Sequence, residues 1–507
     1  MEYLELWASD HRPIRICFAL GRDEPNNGRF FFDKRMLSRE GFEDLVRRSW
    51  EGDGTGQGCT MDRISRCRRK IMEWKKKANL NSREKIVRLR ASLEKEVVKL
   101  NPAYRLMQKL KQELAMALRE EELFWRQKCR EEWLRAGDRN TSYFHNCVKG
   151  RRIQNRILML LDDNNQEHFS EGSKGNLAVE FFRDLFTSSN PFDLETLFQG
   201  LSSRVTPEMN AGLIAPVTPD EIKAAAFCVK GSSAPGEDGL TGIFYQKFWH
   251  IVGPSLTEEI SRFFHTSILP EGWNHTQLSL LPKIPKPERV RDMRPISLCS
   301  VQYKIISKIL CNRLKLILPD IISETQGAFV SGRLISDNII IAHEMVHGLR
   351  TNEKIAAECM AIKTDMSKAY DRVEWNFLEV LMEKMGFDHI WIKWIMACVS
   401  SVTFSVLLNG NSHGFIRPER GIRQGDPLSH FLFILCAEAL VSRLNTSESS
   451  GLLHGIKLTE SCPSIHHLLF ADDSLLLCKS CTAEAEEVMR CIKLYGEASG
   501  QMVNFQK

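Results

Sequence analysis

His466-His467-Leu468-Leu469-Phe470-Ala471-Asp472-Asp473-Ser474-Leu475-Leu476-Leu477-Cys478 sets two adjacent carboxylates between two apolar runs of strand length. No basic residue follows the pair until Lys479. Short Leu- and Phe-rich runs flanking two acids predict a β-hairpin with Asp472-Asp473 at its tip. A hairpin without the usual Gly is strained or functional. Ionised carboxylates against an apolar wall call for a compensating cation or a proton. Oxygen-only ligands of this kind suit Mg²⁺, which takes one or two protein carboxylates and leaves its other positions to water and phosphate. A solvated Asp-Asp turn is the plainer alternative, and the dipeptide alone does not separate the two.

About a hundred residues upstream, Cys359 to Thr364 has strand composition and ends in Asp365. After it Val373, Phe377, Leu378, Leu381 and Met385 recur at helical spacing, and Gly386 stops the pattern. An Asp at a strand end beside the hairpin completes a cluster suited to two Mg²⁺ roughly 4 Å apart, the arrangement used for in-line phosphoryl displacement.

Three runs in order, Asp365-Met366-Ser367-Lys368-Ala369-Tyr370-Asp371-Arg372-Val373, Arg423-Gln424-Gly425-Asp426-Pro427-Leu428-Ser429 and Phe470-Ala471-Asp472-Asp473, resemble motifs A, B and C of a reverse transcriptase. Their wording is similar to that of plant LINE-type non-LTR retrotransposons. The resemblance implies an α+β fold, with palm and fingers, an antiparallel palm sheet and a long helical basic extension in front. It implies RNA-directed DNA synthesis by two-metal nucleotidyl transfer, with Mg²⁺ or Mn²⁺ on Asp365 and Asp472, Asp473 in support, and the Met366 carbonyl as a further ligand. Tyr370 falls where the family keeps a ring under the sugar, which would exclude a 2′-hydroxyl; a core tyrosine is the alternative. Gln424 and Gly425 are expected at the nucleotide. Asp426 as N-cap and Pro427 as first helical residue account for that dipeptide structurally. His430 stands where the family usually has Pro.

The 507 residues allow two or more domains, and 43% hydrophobic content with 26% charge is that of an ordinary globular chain. The net charge of +5 does not by itself imply nucleic acid; the concentration of Lys and Arg in residues 61–160 does more. No apolar run reaches the roughly 18 residues of a membrane span, and Met1-Glu2-Tyr3-Leu4-Glu5 is no signal peptide. An intracellular protein is expected, in the nucleus by the resemblance. Cysteines numbering 15, an odd total without regular spacing, read as reduced thiols, and Cys478-Lys479-Ser480-Cys481 as structural rather than zinc-binding.

In chain order, Ala8-Ser9-Asp10-His11-Arg12-Pro13-Ile14 resembles the last motif of the endonuclease that precedes the polymerase in these elements. Asp10 and His11 are read as remnants, since that family's metal carboxylates have no counterpart in this chain. Arg29-Phe30-Phe31-Phe32-Asp33 looks like an anchor within a linker. Residues 61 to 134 predict long charged helices broken near Asn79 to Ser82 and at Asn101-Pro102. Aromatics interleaved with cations, as in Trp125-Arg126-Gln127-Lys128 and Trp133 to His145, suit phosphate contact and base stacking, so template RNA is expected there; a solvated helical face is the alternative. Lys230 to Leu240 resembles the loop leading into the fingers, with Glu237 in place of a Pro. Lys283, with Lys286 as its rival, and Arg294 are expected to grip the triphosphate. Lys304, Lys308, Arg313 and Lys315 are expected on the outward face of a helix from Tyr303 to Leu318. Gln326 to Arg333 and the helix Asp337 to Leu349 resemble fingers elements over the template.

The expected division is 1–25 endonuclease remnant, 26–205 linker and extension, 206–354 fingers and 355–507 palm, with the polymerase domain at about 270–507 and the thumb absent. RNA template, DNA primer and deoxynucleoside triphosphates are the expected partners, with no membrane and no protein partner. A catalytically inactive remnant that at most binds RNA is the alternative from another class. A group II intron-like maturase would need a splicing-associated domain after the palm.

Overall fold

The computed structural model describes residues 29–52, 58–78, 80–129, 141–191 and 194–504, together with two short paired strands, Glu2–Tyr3 and Ile14–Arg15. Asp10, His11 and the stretch from Trp133 to Asn140 lie outside the described residues.

Phe30 and Phe32 bury their rings in the main core, and the Phe32 N–H donates to the Gly239 carbonyl at 3.0 Å. Gly239 has φ +72°, and a Cβ there would stand 2.1 Å from the Phe30 carbonyl oxygen, so only glycine permits this approach. Helices Phe42–Glu51 and Thr60–Lys77 follow. Ile64, Cys67 and Ile71 of the second recur at helical spacing and are buried. The helices Ser82–Val97 and Tyr104–Cys129 then pack on one another around Ile86, Leu89 and Ala117. The helix breaks fall close to those expected, with Asn81 capping the Glu84 N–H.

The extension does not run uniformly to 205. Helix Glu171–Phe186 turns Val179, Phe182 and Phe186 onto a four-stranded sheet, with Phe186 stacked on Phe404 at 5.1 Å. That sheet contains β1 (His275–Pro282), β2 (Met293–Leu298), β4 (Thr403–Leu408) and β5 (Asn411–Ile416) in the order β2-β1-β4-β5. β1 runs parallel to β4, and the other pairings are antiparallel. Two of its strands lie on each side of the division expected at 354/355, because alternating apolar residues such as Leu278, Leu280, Phe404 and Val406 form one buried face.

The other large sheet has β3 (Cys359–Asp365), β6 (His467–Phe470) and β7 (Asp473–Lys479) in the order β6-β7-β3, all antiparallel. Behind the sheets, helix Ser429–Ser449 is buried nearly all round and is flanked by Val301–Ile321 and Trp375–Met385. The pattern after Asp365 forms two helices, not one. A short Ala369–Arg372 breaks at Val373-Glu374, where the Glu374 N–H donates to the Ser499 carbonyl at 3.0 Å and its carboxylate pairs with buried Arg420 at 3.1 Å. Gly386, at φ +89°, ends the second helix as expected.

Lys304 and Arg313 are not on an outward face. Lys304 donates to the Ala234 carbonyl at 2.8 Å, and Arg313 pairs with Glu221 at 2.7 Å while donating to Leu213 and Ala215 carbonyls. Helix Val301–Ile321 is covered on nearly every side, so these cations end on carbonyls and a carboxylate instead of in water. Lys315 is exposed as expected.

Candidate active site

Asp365, the last residue of β3, stands directly opposite Asp473, the first of β7. Residues opposed in an antiparallel pair share a face and have Cα atoms about 5 Å apart, so carboxylates over a hundred residues apart in sequence meet. Phe470 pairs with Asp473, so the hairpin turn is Ala471-Asp472, and Asp473 belongs to the strand, one residue on from the expected Asp472-Asp473 tip. Ala471 has φ +55°, a left-handed conformation that a non-glycine residue adopts with strain.

Buried Gln326 holds that strain. Its Oε1 accepts from the Ala471 N–H at 3.1 Å and the Ala328 N–H at 3.0 Å, and its backbone bridges in parallel to Leu469. Asn338 adds a bond to the Leu469 carbonyl at 2.8 Å. The segment expected over the template therefore supports the hairpin from its edge. Arg333 likewise donates to the carbonyls of Ser323, Ile322 and Gln326, and so secures the loop. Gln326 as a turn clamp was not read from sequence; the one signal is a Gln before Gly-Ala, which is weak.

The segment after Asp365 is pinned by the chain's last described residues. Asn504 N–H donates to the Asp365 carbonyl at 2.8 Å and Ser367 N–H to the Met502 carbonyl at 2.7 Å, with Met366 bridging Val503 between them. In that pattern the Met366 N–H and C=O face away from Val503, toward the side where β7 and its turn lie. Tyr370 stacks on Phe433 at 4.9 Å and 15°. Burial and the nearby Asp472 charge push its hydroxyl up to about 12. Asp473 Oδ1 sits 3.4 Å from Lys363 Nζ, both exposed. Among the described residues no three His, Cys, Asp or Glu side chains are already gathered as a metal cluster. The donor set, carboxylate oxygens on one face with a carbonyl alongside, nonetheless has the chemistry a hard divalent cation takes.

Arg423 to Asp426 forms a tight loop. Arg423 lies over the Tyr303 ring at 3.8 Å and pairs with Asp426 at 3.0 Å, both side chains at most 4% exposed. Asp426 also accepts from Tyr303 Oη at 2.7 Å, from Ser307 Oγ and from the Leu428 N–H at 3.1 Å. It does not cap the helix as expected: the helix begins at Ser429, because this carboxylate is committed to the core. Gly425 has φ +102°, and the Gln424 carbonyl accepts from the Ser297 N–H at 2.8 Å, which places both against β2. Gln424 Nε2 lies 3.1 Å from both carboxylate oxygens of buried Asp371. Burial pushes Asp371 up to about 6, against the pull of Lys368, Gln424, Lys283 and Arg372. His430 packs on Phe329 at 4.9 Å, and burial lowers its pKa.

Lys283 follows β1, and Arg294 pairs across from Leu281 in β2, so both exposed cations flank the same end of that hairpin. Lys283 is near enough to Lys368 and Asp371 to influence both. In the extension, Lys128 lies over the rings of Phe124 at 3.9 Å and Trp125 at 5.3 Å, and Gln127 bonds the backbone of Phe32 and Lys34. Part of the aromatic and cationic mixture thus serves the fold. Arg69, Lys70, Lys75, Lys76 and Lys77 are exposed. Cys478 is buried and Cys481 exposed. No described helix is long and apolar enough to cross a membrane.

Residues 284–507 match the sequence model of the family described as reverse transcriptase (RNA-dependent DNA polymerase). Over 98% of its length the chain is 26% identical to an uncharacterized 149 kDa protein of transposon TX1 from Xenopus laevis, of which it covers 38%. Over 55% of its length it is 29% identical to the Pol polyprotein of a type-1 R2 retrotransposable element from Nasonia vitripennis, covering 25% of that protein. A stretch of 68 residues is 48% identical to an uncharacterized mitochondrial protein of Arabidopsis thaliana. The chain thus spans well under half of the first two relatives. The matched segment contains Asp365, Asp472 and Asp473, and it is a mixture of helices and sheet strands.

Proposed function

We propose that this chain, whose residues 284–507 carry a reverse transcriptase domain of the non-LTR retrotransposon type, catalyses RNA-directed DNA synthesis. The observation that carries the reading is the pairing of Asp365 with Asp473 beside the Ala471-Asp472 turn. In the reaction the primer 3′ oxygen attacks the α-phosphate of a deoxynucleoside triphosphate, the bond to the bridging oxygen breaks, and pyrophosphate leaves. Catalysis of such a step rests on positioning and on stabilising charge. Asp365 and Asp472, with the Met366 carbonyl, would hold Mg²⁺, and Asp473 would support them. Bound divalent ions supply charge neutralisation at the reacting phosphate. Lys283 and Arg294, exposed at the same end of the β1–β2 hairpin, would meet the triphosphate, and Gly425 would leave room for the base pair.

The direct test is primer extension by the full chain on an RNA template. Extension that requires a divalent cation and deoxynucleotides is expected; none under any divalent ion would overturn the reading. We base the chain's affinity with the plant LINE-type elements, and its work in the nucleus, on the resemblance of its three motifs to that family.

Tyr370 presents its ring between Phe433 and the carboxylate turn, half-buried. Tyr370→Ala should remove a steric block instead of a bond, so ribonucleotide incorporation should rise about tenfold or more while metal-dependent extension persists. Unchanged discrimination between ribo- and deoxynucleotides would leave Tyr370 as packing alone.

The exposed cations of helix Thr60–Lys77 are proposed to contact template phosphates. Replacing Lys75, Lys76 and Lys77 with Gln should flatten the fall of log affinity for RNA with log salt, by somewhat under about one unit per lost contact. An unaltered salt slope would return this helix to the role of a solvated surface.

A further inference from the structure

We infer that Asp371 is a positioning residue for the incoming nucleotide, because its buried carboxylate fixes the orientation of the Gln424 side chain on the loop that borders the nucleotide pocket. The inference rests on the polymerase reading above and names a residue that reading does not use. An ionised carboxylate only accepts hydrogen bonds, so the atom of Gln424 that lies 3.1 Å from both Asp371 oxygens must be the amide nitrogen. The amide oxygen is thereby turned away from Asp371, and one face of Gln424 is selected.

The backbone supports the same placement. Gly421 and Ile422 donate to the carbonyls of Val373 and Tyr370 at 2.7 and 2.8 Å, while the Gln424 carbonyl accepts from Ser297 in β2. A Cβ at Gly421 would lie 2.7 Å from the Asp371 carbonyl oxygen, so the two segments are in direct backbone contact. Gln424 therefore joins β2 to the short helix Ala369–Arg372, just ahead of the helix that begins at Ser429. Asp371 is 4% exposed, and neutralising its charge by burial alone would be expected unless neighbouring cations favoured it. Lys368 and Lys283 supply that field; the Lys368 Nζ itself lies 4.0 Å from the Phe181 ring.

The experiment is single-nucleotide incorporation by the full chain on a primed RNA template, with KM and kcat read separately. Asp371→Ala and Gln424→Ala are each expected to raise KM for the nucleotide about tenfold with a smaller change in kcat, and the double variant to be no worse than the weaker single. Asp371→Asn, which retains an acceptor for the amide, should restore most of the affinity. Should Asp371→Ala fail to fold, Gln424→Glu sets a second carboxylate against Asp371 and should raise KM likewise. A KM within twofold of wild type, or additive effects in the double variant, would overturn the inference while leaving the polymerase reading intact. A wild-type chain that incorporates no nucleotide overturns that reading, and the inference falls with it.

Discussion

Asp365→Asn and Asp472→Asn should each lower divalent-dependent primer extension by roughly a thousandfold, since a metal-bound carboxylate supports about 4 kcal/mol of transition-state charge stabilisation. Asp365 ends β3 and Asp472 lies in the turn beside β7, so each substitution changes charge at the edge of a sheet without opening a cavity. Neither variant should melt below wild type; removing one of the neighbouring negative charges relieves repulsion in the absence of metal. Asp473→Asn should have a smaller effect, about tenfold, because its carboxylate is mostly exposed and lies near Lys363. The measurement is extension rate against Mg²⁺ concentration, with thermal unfolding as the control. Extension by both Asp365→Asn and Asp472→Asn within tenfold of wild type would place the metal elsewhere.

What was legible in the sequence was the local part. Apolar runs around Asp472-Asp473 predicted a hairpin, and Gly386 predicted a helix end, because both signals lie within a few residues of what they determine. A strand-end Asp beside the hairpin predicts the meeting of Asp365 with the turn, and the register pairs Asp365 with Asp473. Less legible were placements decided by long-range partners. Lys304 and Arg313 carry charge and helical spacing that suit a wet surface, yet Ala234, Leu213, Ala215 and Glu221 come from distant segments to receive them. Gln326 reads as an ordinary polar residue, and only the parallel approach of Leu469 makes it the clamp on Ala471. The four-stranded sheet could not be divided at a single point in the sequence because β1 chose a parallel partner more than a hundred residues away.

The same distinction sets the second large effect, at Asp426. From sequence it is a helix cap, and loss of a cap lowers stability by about 1 kcal/mol. In the structure it neutralises Arg423 inside the core and accepts from Tyr303, Ser307 and the Leu428 N–H. Asp426→Ala would leave the Arg423 guanidinium buried against Tyr303 and the Cys398 carbonyl with no carboxylate partner. Breaking one side of a buried ion pair in this way destabilises by roughly 3–5 kcal/mol, a large share of the 5–15 kcal/mol that holds a typical domain folded. The expected result is a marked fall in the denaturant midpoint, together with loss of nucleotide uptake, because Gln424 and Gly425 lie between Arg423 and Asp426. Replacing both charges, as Arg423→Met with Asp426→Leu, should recover a good part of the stability, since no uncompensated charge then remains. A loss near 1 kcal/mol for Asp426→Ala, or no recovery in the double variant, would return Asp426 to the role of a simple cap.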